Sequence, residues 1–278
     1  MVKAYTRPEV LSRLKKTLDD GKPILASGAG TGISAVAAEK GGIDLIVIYN
    51  SGKYRMGGRA SVAGLLAYGD ANAITLELAA EVIPVVKTTP VIAGVCGSDP
   101  FRLMDLYLSD LKKWRFSGVQ NFPTYGVVDG VFRSYLEETG LGFGREVEMI
   151  ATAHNLDLFT MPFVFNADES RRMVEIGADM VVAHMGLTTK GLVGAKTSMT
   201  LDDAAERTQQ IADAARAVNP NVLVLTHGGP IAEVDDFAYV LEKTRGIHGF
   251  AGATTFERLP VEKAIPESVK AFKNLALK

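Results

Sequence analysis

The stretch Leu45-Ile46-Val47-Ile48-Tyr49-Asn50-Ser51-Gly52 decides the fold. Its apolar residues follow one another without polar alternation, as in a strand buried on both faces. The run then stops at an amide, a hydroxyl and a glycine, which is turn chemistry. The same sentence structure recurs along the chain. Apolar runs occupy Ile24–Ser27, Leu45–Tyr49, Val91–Val95, Gly118–Asn121, Leu158–Phe163, Met180–His184, Val222–Thr226 and His248–Ala251. Each ends in polar or glycine-rich residues and is followed by a longer amphipathic segment. Helices are expected to begin near Gly32, Ala71, Pro100, Gly130, Asp168, Thr200 and Ile231, with a last one after Pro260.

Strand and helix alternating in one unbroken series predict an α/β fold, a single (β/α)8 TIM barrel over residues 1–278,. A lead-in N-terminal helix is expected over Arg7–Asp19, with Pro8 in its first turn and Val10, Leu11, Leu14 and Leu18 as its apolar stripe,. Two insertions stand out, Ser51–Asp70 and Tyr125–Asp157, the second with an extra helix around Gly144–Asn155.

The 278 residues suit one barrel, and the formal net charge of -2 argues against a nucleic-acid binder,. Cys96 is the one cysteine, so no internal disulfide can form and a reducing, cytoplasmic setting is expected,. Met1–Pro8 has no apolar stretch of signal-peptide type, and no run is long enough to span a bilayer,. No membrane partner is expected.

In such barrels the reactive groups gather where strands end. His184 and His227 each close an apolar run and precede glycine, a position where proton transfer uses histidine and packing seldom demands it,. The plainer reading is a hydrogen-bonded rim residue. His154 and His248 fall elsewhere and read as structural. Cys96 is either a nucleophile or a small buried side chain. Asp99, before Pro100, is either a helix cap or a metal or proton-transfer group,.

The run Gly28-Ala29-Gly30-Thr31-Gly32 is not a dinucleotide fingerprint, because Ile33 stands where the third glycine belongs and no acid follows about 20 residues on,. No NAD and no haem are expected. Gly30 and Thr31 are read instead as a turn that approaches a ligand. His227-Gly228-Gly229-Pro230 and Gly252-Ala253-Thr254-Thr255 look like a phosphate cradle, so Gly228, Gly229, Ala253 and Thr254 are candidate anion contacts,. Lys53, Arg55, Arg59, Arg258, Lys190 and Lys196 could add charge, each a weak signal alone.

Several segments taken together resemble a known family: Gly28 to Ala35, Lys40 to Val47, Asn50-Ser51-Gly52, Gly69-Asp70-Ala71-Asn72, Gly118 to Thr124, His184-Met185-Gly186 and His227-Gly228-Gly229-Pro230. They resemble the phosphoenolpyruvate hydrolase-like TIM-barrel family, the barrel domain also found beside an ATP-binding domain in Tm-1-like proteins. More distant kin are the phosphoenolpyruvate mutase/isocitrate lyase group. The resemblance implies a hydrolase or lyase acting on a small anionic 2-oxo or enol carboxylate, phosphorylated or not, with Mg²⁺ as a cofactor to be tested.

In this reading His184 and His227 are acid and base, with Asp99 and Cys96 as further catalytic candidates. Thr31, Asn50, Ser51 and Asn121 contact substrate and Asp70 is a metal ligand. The sequence departs from those kin where their acids stand: Cys96-Gly97-Ser98-Asp99 offers one displaced carboxylate, and Gln120-Asn121 is neutral. The rival expectation is a non-catalytic ligand-binding barrel that signals to an ATP-binding partner. A homo-oligomer is expected, formed through the apolar segment after Pro260, which Pro266 should divide in two,.

Overall fold

A computed structural model describes residues 4–277, so Met1–Lys3 of the opening lies outside the described residues. The elements in chain order are α1 (Arg7–Asp19), β1 (Ile24–Gly28), α2 (Gly32–Lys40), β2 (Leu45–Ile48), α3 (Asn50–Met56), α4 (Ala71–Val82), β3 (Val91–Gly94), α5 (Met104–Lys113), β4 (Gly118–Gln120), α6 (Gly130–Glu138) and α7 (Phe143–Asn155). They continue with β5 (Phe159–Thr160), β6 (Phe163–Val164), α8 (Ala167–Glu175), β7 (Met180–His184), α9 (Leu201–Val218), β8 (Leu223–His227), α10 (Val234–Lys243), β9 (Gly249–Gly252) and α11 (Arg258–Lys273).

All ladders are parallel, in the order β5-β4-β3-β2-β1-β9-β8-β7-β6. The two ends of that order are halves of one strand. The expected run Leu158–Phe163 is interrupted at Met161-Pro162, because proline has no N–H to give a ladder. The ring still closes across the gap: Met161 N–H donates to Val119 O at 3.1 Å, and Val182 N–H donates to Pro162 O at 2.8 Å.

Alternate residues of each strand separate into two apolar clusters. Ala26, Leu45, Val47, Tyr49, Ile92, Phe159, Met161, Phe163, Met180, Val182 and Leu225 fill the barrel interior. Ile46, Ile48, Val91, Ala93, Val119, Val181, Ala183 and Val224 pack outward against the helices. The lead-in helix α1 joins the interior cluster through Val10 and Leu14, with Tyr5 beside them. Among the described residues, no helix is long and apolar enough to cross a membrane.

Three expectations change. Asn50-Ser51-Gly52 is not a loop but the start of α3, with Tyr49 as its N-cap. Helix α5 begins at Met104 and not at Pro100. The reason is Asp99, whose carboxylate accepts Phe101 N–H at 3.0 Å and an Arg102 N–H, holding that stretch as a turn,. Pro266 does not divide the last segment, since α11 runs through it.

Candidate functional site

The interior parity of the strands aims two histidines at one place. In β7, Met180 and Val182 face the barrel interior, and His184 follows in step; in β8, Leu225 and His227 do the same. His184 and His227 are direct partners in the β7–β8 register. Their ring centroids are 4.5 Å apart at 62°. Phe165 stacks on His184 at 4.7 Å, and Phe163 lies 4.8 Å from His184 and 5.0 Å from His227. Both rings border a cleft of about 190 Å³ at the C-terminal end of the barrel.

Backbone groups fix the tautomer of each ring. Gly186 N–H donates to Nδ1 of His184 at 3.0 Å, so that nitrogen carries a lone pair and Nε2 carries the proton,. His227 Nδ1 lies 2.6 Å from Ala251 O, which can only accept, so here Nδ1 carries the proton and Nε2 the lone pair,. Burial holds His184 well below the ordinary imidazole range, and the neighbouring His227 lowers it further. Burial also takes His227 down to about 4, aided by Arg55 and opposed by the Ala251 carbonyl. At neutral pH the cleft presents one imidazole N–H donor and one imidazole base.

Arg55, on the same wall, forms a buried ion pair with Glu257 behind it. Nε and Nη2 of Arg55 donate to Oε2 of Glu257 at 2.8 and 2.5 Å. Tyr49 lies beside Arg55, and burial pushes its phenol up. The loops after β2 and β7 roof the cleft through Ala60, Val62, Leu65, Leu187 and Val193.

Of the predicted contacts, Ser51, Ala253 and Thr254 line this cleft with the histidines. Others are placed elsewhere. Gly30 N–H donates to Oε1 of Glu257 at 2.5 Å, and a Cβ there would lie 2.0 Å from Gly52 O. The glycine run therefore lets two backbones touch. Thr31 caps α2 by accepting Ser34 N–H. Gly229 N–H is taken by Gly186 O at 2.8 Å, and Gly228 and Gly229 have φ of 76° and 58°. These two glycines clamp the turns after β7 and β8 together. Their conformation answers to that packing, and the Gly229 amide is not open to an anion.

Asn121 is also structural. It accepts Phe163 N–H at 2.6 Å and donates to Phe163 O at 3.2 Å, replacing ladder bonds next to the Pro162 break. Its amide further donates to Glu146 at 2.5 Å. Glu146 is wholly buried, with Tyr125 N–H donating to it at 2.7 Å, and burial pushes its carboxyl up to about 8.

Asn50, Cys96, Asp70 and Asp99 line a second hollow of about 480 Å³ beside the cleft. Arg102 bridges Asp70 (2.7 Å) and Asp99. Burial would raise the Asp70 carboxyl, but Arg102 and the Ala73 N–H that it caps outweigh this and lower it. Burial pushes the Cys96 thiol up, away from the thiolate a nucleophile needs,. Of the weaker cations, Lys190 turns to Glu233 and Asp236, and Lys53 pairs with Glu77. Lys196 is not among the residues of the cleft wall.

Mg²⁺ requires carboxylates and water in octahedral array. The cleft wall has no carboxylate among the described residues. The two nearby aspartates are neutralised by Arg102, and no group of three potential ligands is assembled among the described residues. The donor set does not fit a magnesium site.

The arrangement is that of an α/β barrel with two buried histidines bordering a cleft at the strand C-termini. The chain belongs to the phosphoenolpyruvate hydrolase-like family, whose model matches residues 9–275. It is 56% identical over 268 residues to the ToMV susceptible protein tm-1(GCR26) of Solanum lycopersicum, across 96% of this chain. The chain spans 36% of that relative's length.

Among solved structures, it resembles 2,3-dimethylmalate lyase, a PEP mutase/isocitrate lyase superfamily member, at TM-score 0.59 and 14% identity, covering 97% of this chain and 88% of the other. It resembles oxaloacetate acetylhydrolase at TM-score 0.61 and 15% identity, covering 99% and 90%. At those identities the likeness is one of fold.

Proposed function

We propose that the chain is a hydrolase or lyase for a small anionic carboxylate, a 2-oxo acid or an enol such as phosphoenolpyruvate. The observation that carries this reading is the pair of opposite tautomers at His184 and His227, two buried rings side by side at one cleft. Nε2 of His227 takes a proton from an attacking water or from the substrate. Nε2–H of His184 donates to the oxygen on which negative charge develops, an enolate or a tetrahedral oxyanion. A neutral imidazole polarises such an oxygen without first acquiring a proton. Phe163 and Phe165 keep bulk water from the rings, which strengthens both interactions,. The volume of about 190 Å³ favours a ligand of a few heavy atoms,. Family membership supports the substrate class.

The test is turnover. Phosphoenolpyruvate, oxaloacetate and a panel of 2-oxo and 3-oxo acids are incubated with the chain, with and without Mg²⁺, and followed by NMR. The proposal expects turnover of at least one acid, lost in His227→Gln. Binding without turnover of any acid would instead favour a ligand-binding barrel that serves an ATP-binding partner.

A further inference from the structure

Glu257 ties together the segments that follow β1, β2 and β9. Its Oε2 accepts Nε and Nη2 of Arg55, and its Oε1 accepts Gly30 N–H. Neither side chain of the pair meets solvent, at 0% and 1% exposure. Glu257 thereby occupies one edge of the guanidinium. The nitrogen away from that edge, Nη1, is buried and has no hydrogen-bond partner. A buried N–H without an acceptor is rare and costly, and such a group calls for one.

Arg55 borders the cleft, next to Tyr49 and Ala253. The other arginine of the cleft, Arg258, is already committed: Nη1 to Glu262 and Nη2 to Lys190 O. Arg55 is therefore the cleft arginine with a nitrogen to offer, and it is held rigid by Glu257.

We propose that Arg55 is the anion anchor of the cleft, its Nη1 donating to a carboxylate or phosphate oxygen of the ligand, with Glu257 as the positioning residue. This rests on the reading that the histidine cleft is the substrate site, and it names what holds the acid end. It takes the place of the glycine turn after β8, whose Gly229 amide is already bonded to Gly186 O. A donor fixed in advance loses little freedom on binding, so a single nitrogen can select an anionic oxygen over a neutral one. The planar guanidinium also sets the direction of the carboxylate relative to the two imidazoles.

The experiment measures binding of oxalate and of inorganic phosphate to the full chain by calorimetry, which needs no turnover. The wild type is expected to bind at least one of them at millimolar concentration. The double variant Arg55→Met with Glu257→Gln removes both charges and so leaves no buried carboxylate unpaired. It is expected to bind about 10- to 100-fold more weakly, the size of effect for one charge-assisted hydrogen bond. If that variant does not fold, Arg55→Lys keeps the ion pair and lacks the third nitrogen, and the same loss is expected.

Failure to turn over any acid, with anion binding that depends on Arg55, would overturn the proton-transfer reading and leave the anchor standing. Two results overturn the anchor: a wild type that binds neither anion, or a folded variant that binds, or shows a KM, like wild type.

Discussion

His184 and His227 stand side by side in the β7–β8 ladder, 4.5 Å between ring centroids, with their Nδ1 atoms used in opposite senses. One Nδ1 accepts from Gly186 N–H, and the other donates to Ala251 O. Two like imidazoles are thereby made unlike. Two protonated rings at this distance would repel, so burial and proximity both favour the neutral pair.

Removal of either histidine is expected to act on kcat. His227→Gln loses the base and should lower kcat by about 10²- to 10⁴-fold, with KM little changed. His184→Gln retains an N–H donor and should lose less than His184→Phe. Steady-state kinetics on the acid that is turned over checks the order. Equal losses for His184→Gln and His184→Phe would mean that no hydrogen bond is donated from this position.

The pH profile follows from the same burial. His227 titrates at about 4 and His184 lies well below its ordinary value. Both rings stay neutral across the range where an ordinary imidazole, near pH 6.5, would change charge. The log of kcat/KM should therefore be flat through pH 6.5 and fall on the acid side only near pH 4, as His227 takes up a proton. An inflection near 6.5 would show an ordinary, solvated histidine in control.

Barrel and histidines were legible in the sequence because they depend on local pattern. Apolar runs that stop at polar residues mark strand ends, and His184 and His227 lie at two of them. The parity that sends Met180, Val182 and His184 inward can be counted along the chain. The ion pair was not legible, since Arg55 and Glu257 are 202 residues apart and meet only when the ring closes. Asn121 misled for a related reason. An amide at a strand end looks like a ligand contact, and its true partner, Phe163, becomes visible only once Pro162 is seen to break the fifth strand. Asp70 and Asp99 read as metal or proton-transfer candidates, and their shared pairing with Arg102 was not legible in the sequence.

Glu146 should give stability an alkaline weakness. Its carboxyl is raised from 4.5 to about 8 in the folded chain. The folded state keeps a proton that the unfolded state has released. Its contribution is fully present below 4.5 and is lost as pH rises through about 8,. The slope can reach about 1.4 kcal/mol per pH unit for one proton. His227 acts in the reverse direction, contributing fully above 6.5 and losing its contribution as pH falls through about 4. Urea denaturation from pH 6 to pH 9 should show wild-type stability declining and Glu146→Gln lacking that decline. Identical curves would place the Glu146 carboxyl outside this range.

Helix α11 should join copies of the chain. Val261, Ile265, Val269 and Phe272 are exposed along it at helical spacing, an apolar stripe of the kind a second copy can cover,. Light scattering is expected to give a multiple of the 29.7 kDa chain mass, and Val269→Asp with Phe272→Asp should return it to one chain. A wild-type mass of one chain removes the claim, and an oligomer that survives the substitutions moves the interface elsewhere.

The opposite tautomers themselves can be observed directly. In ¹⁵N-labelled protein, two-dimensional spectra of the imidazoles distinguish protonated from bare ring nitrogens at each histidine. At pH 7 His184 is expected to carry its proton on Nε2 and His227 on Nδ1, with neither spectrum changing between about pH 6 and 8,. The same tautomer at both rings, or an imidazolium at either one, would contradict it.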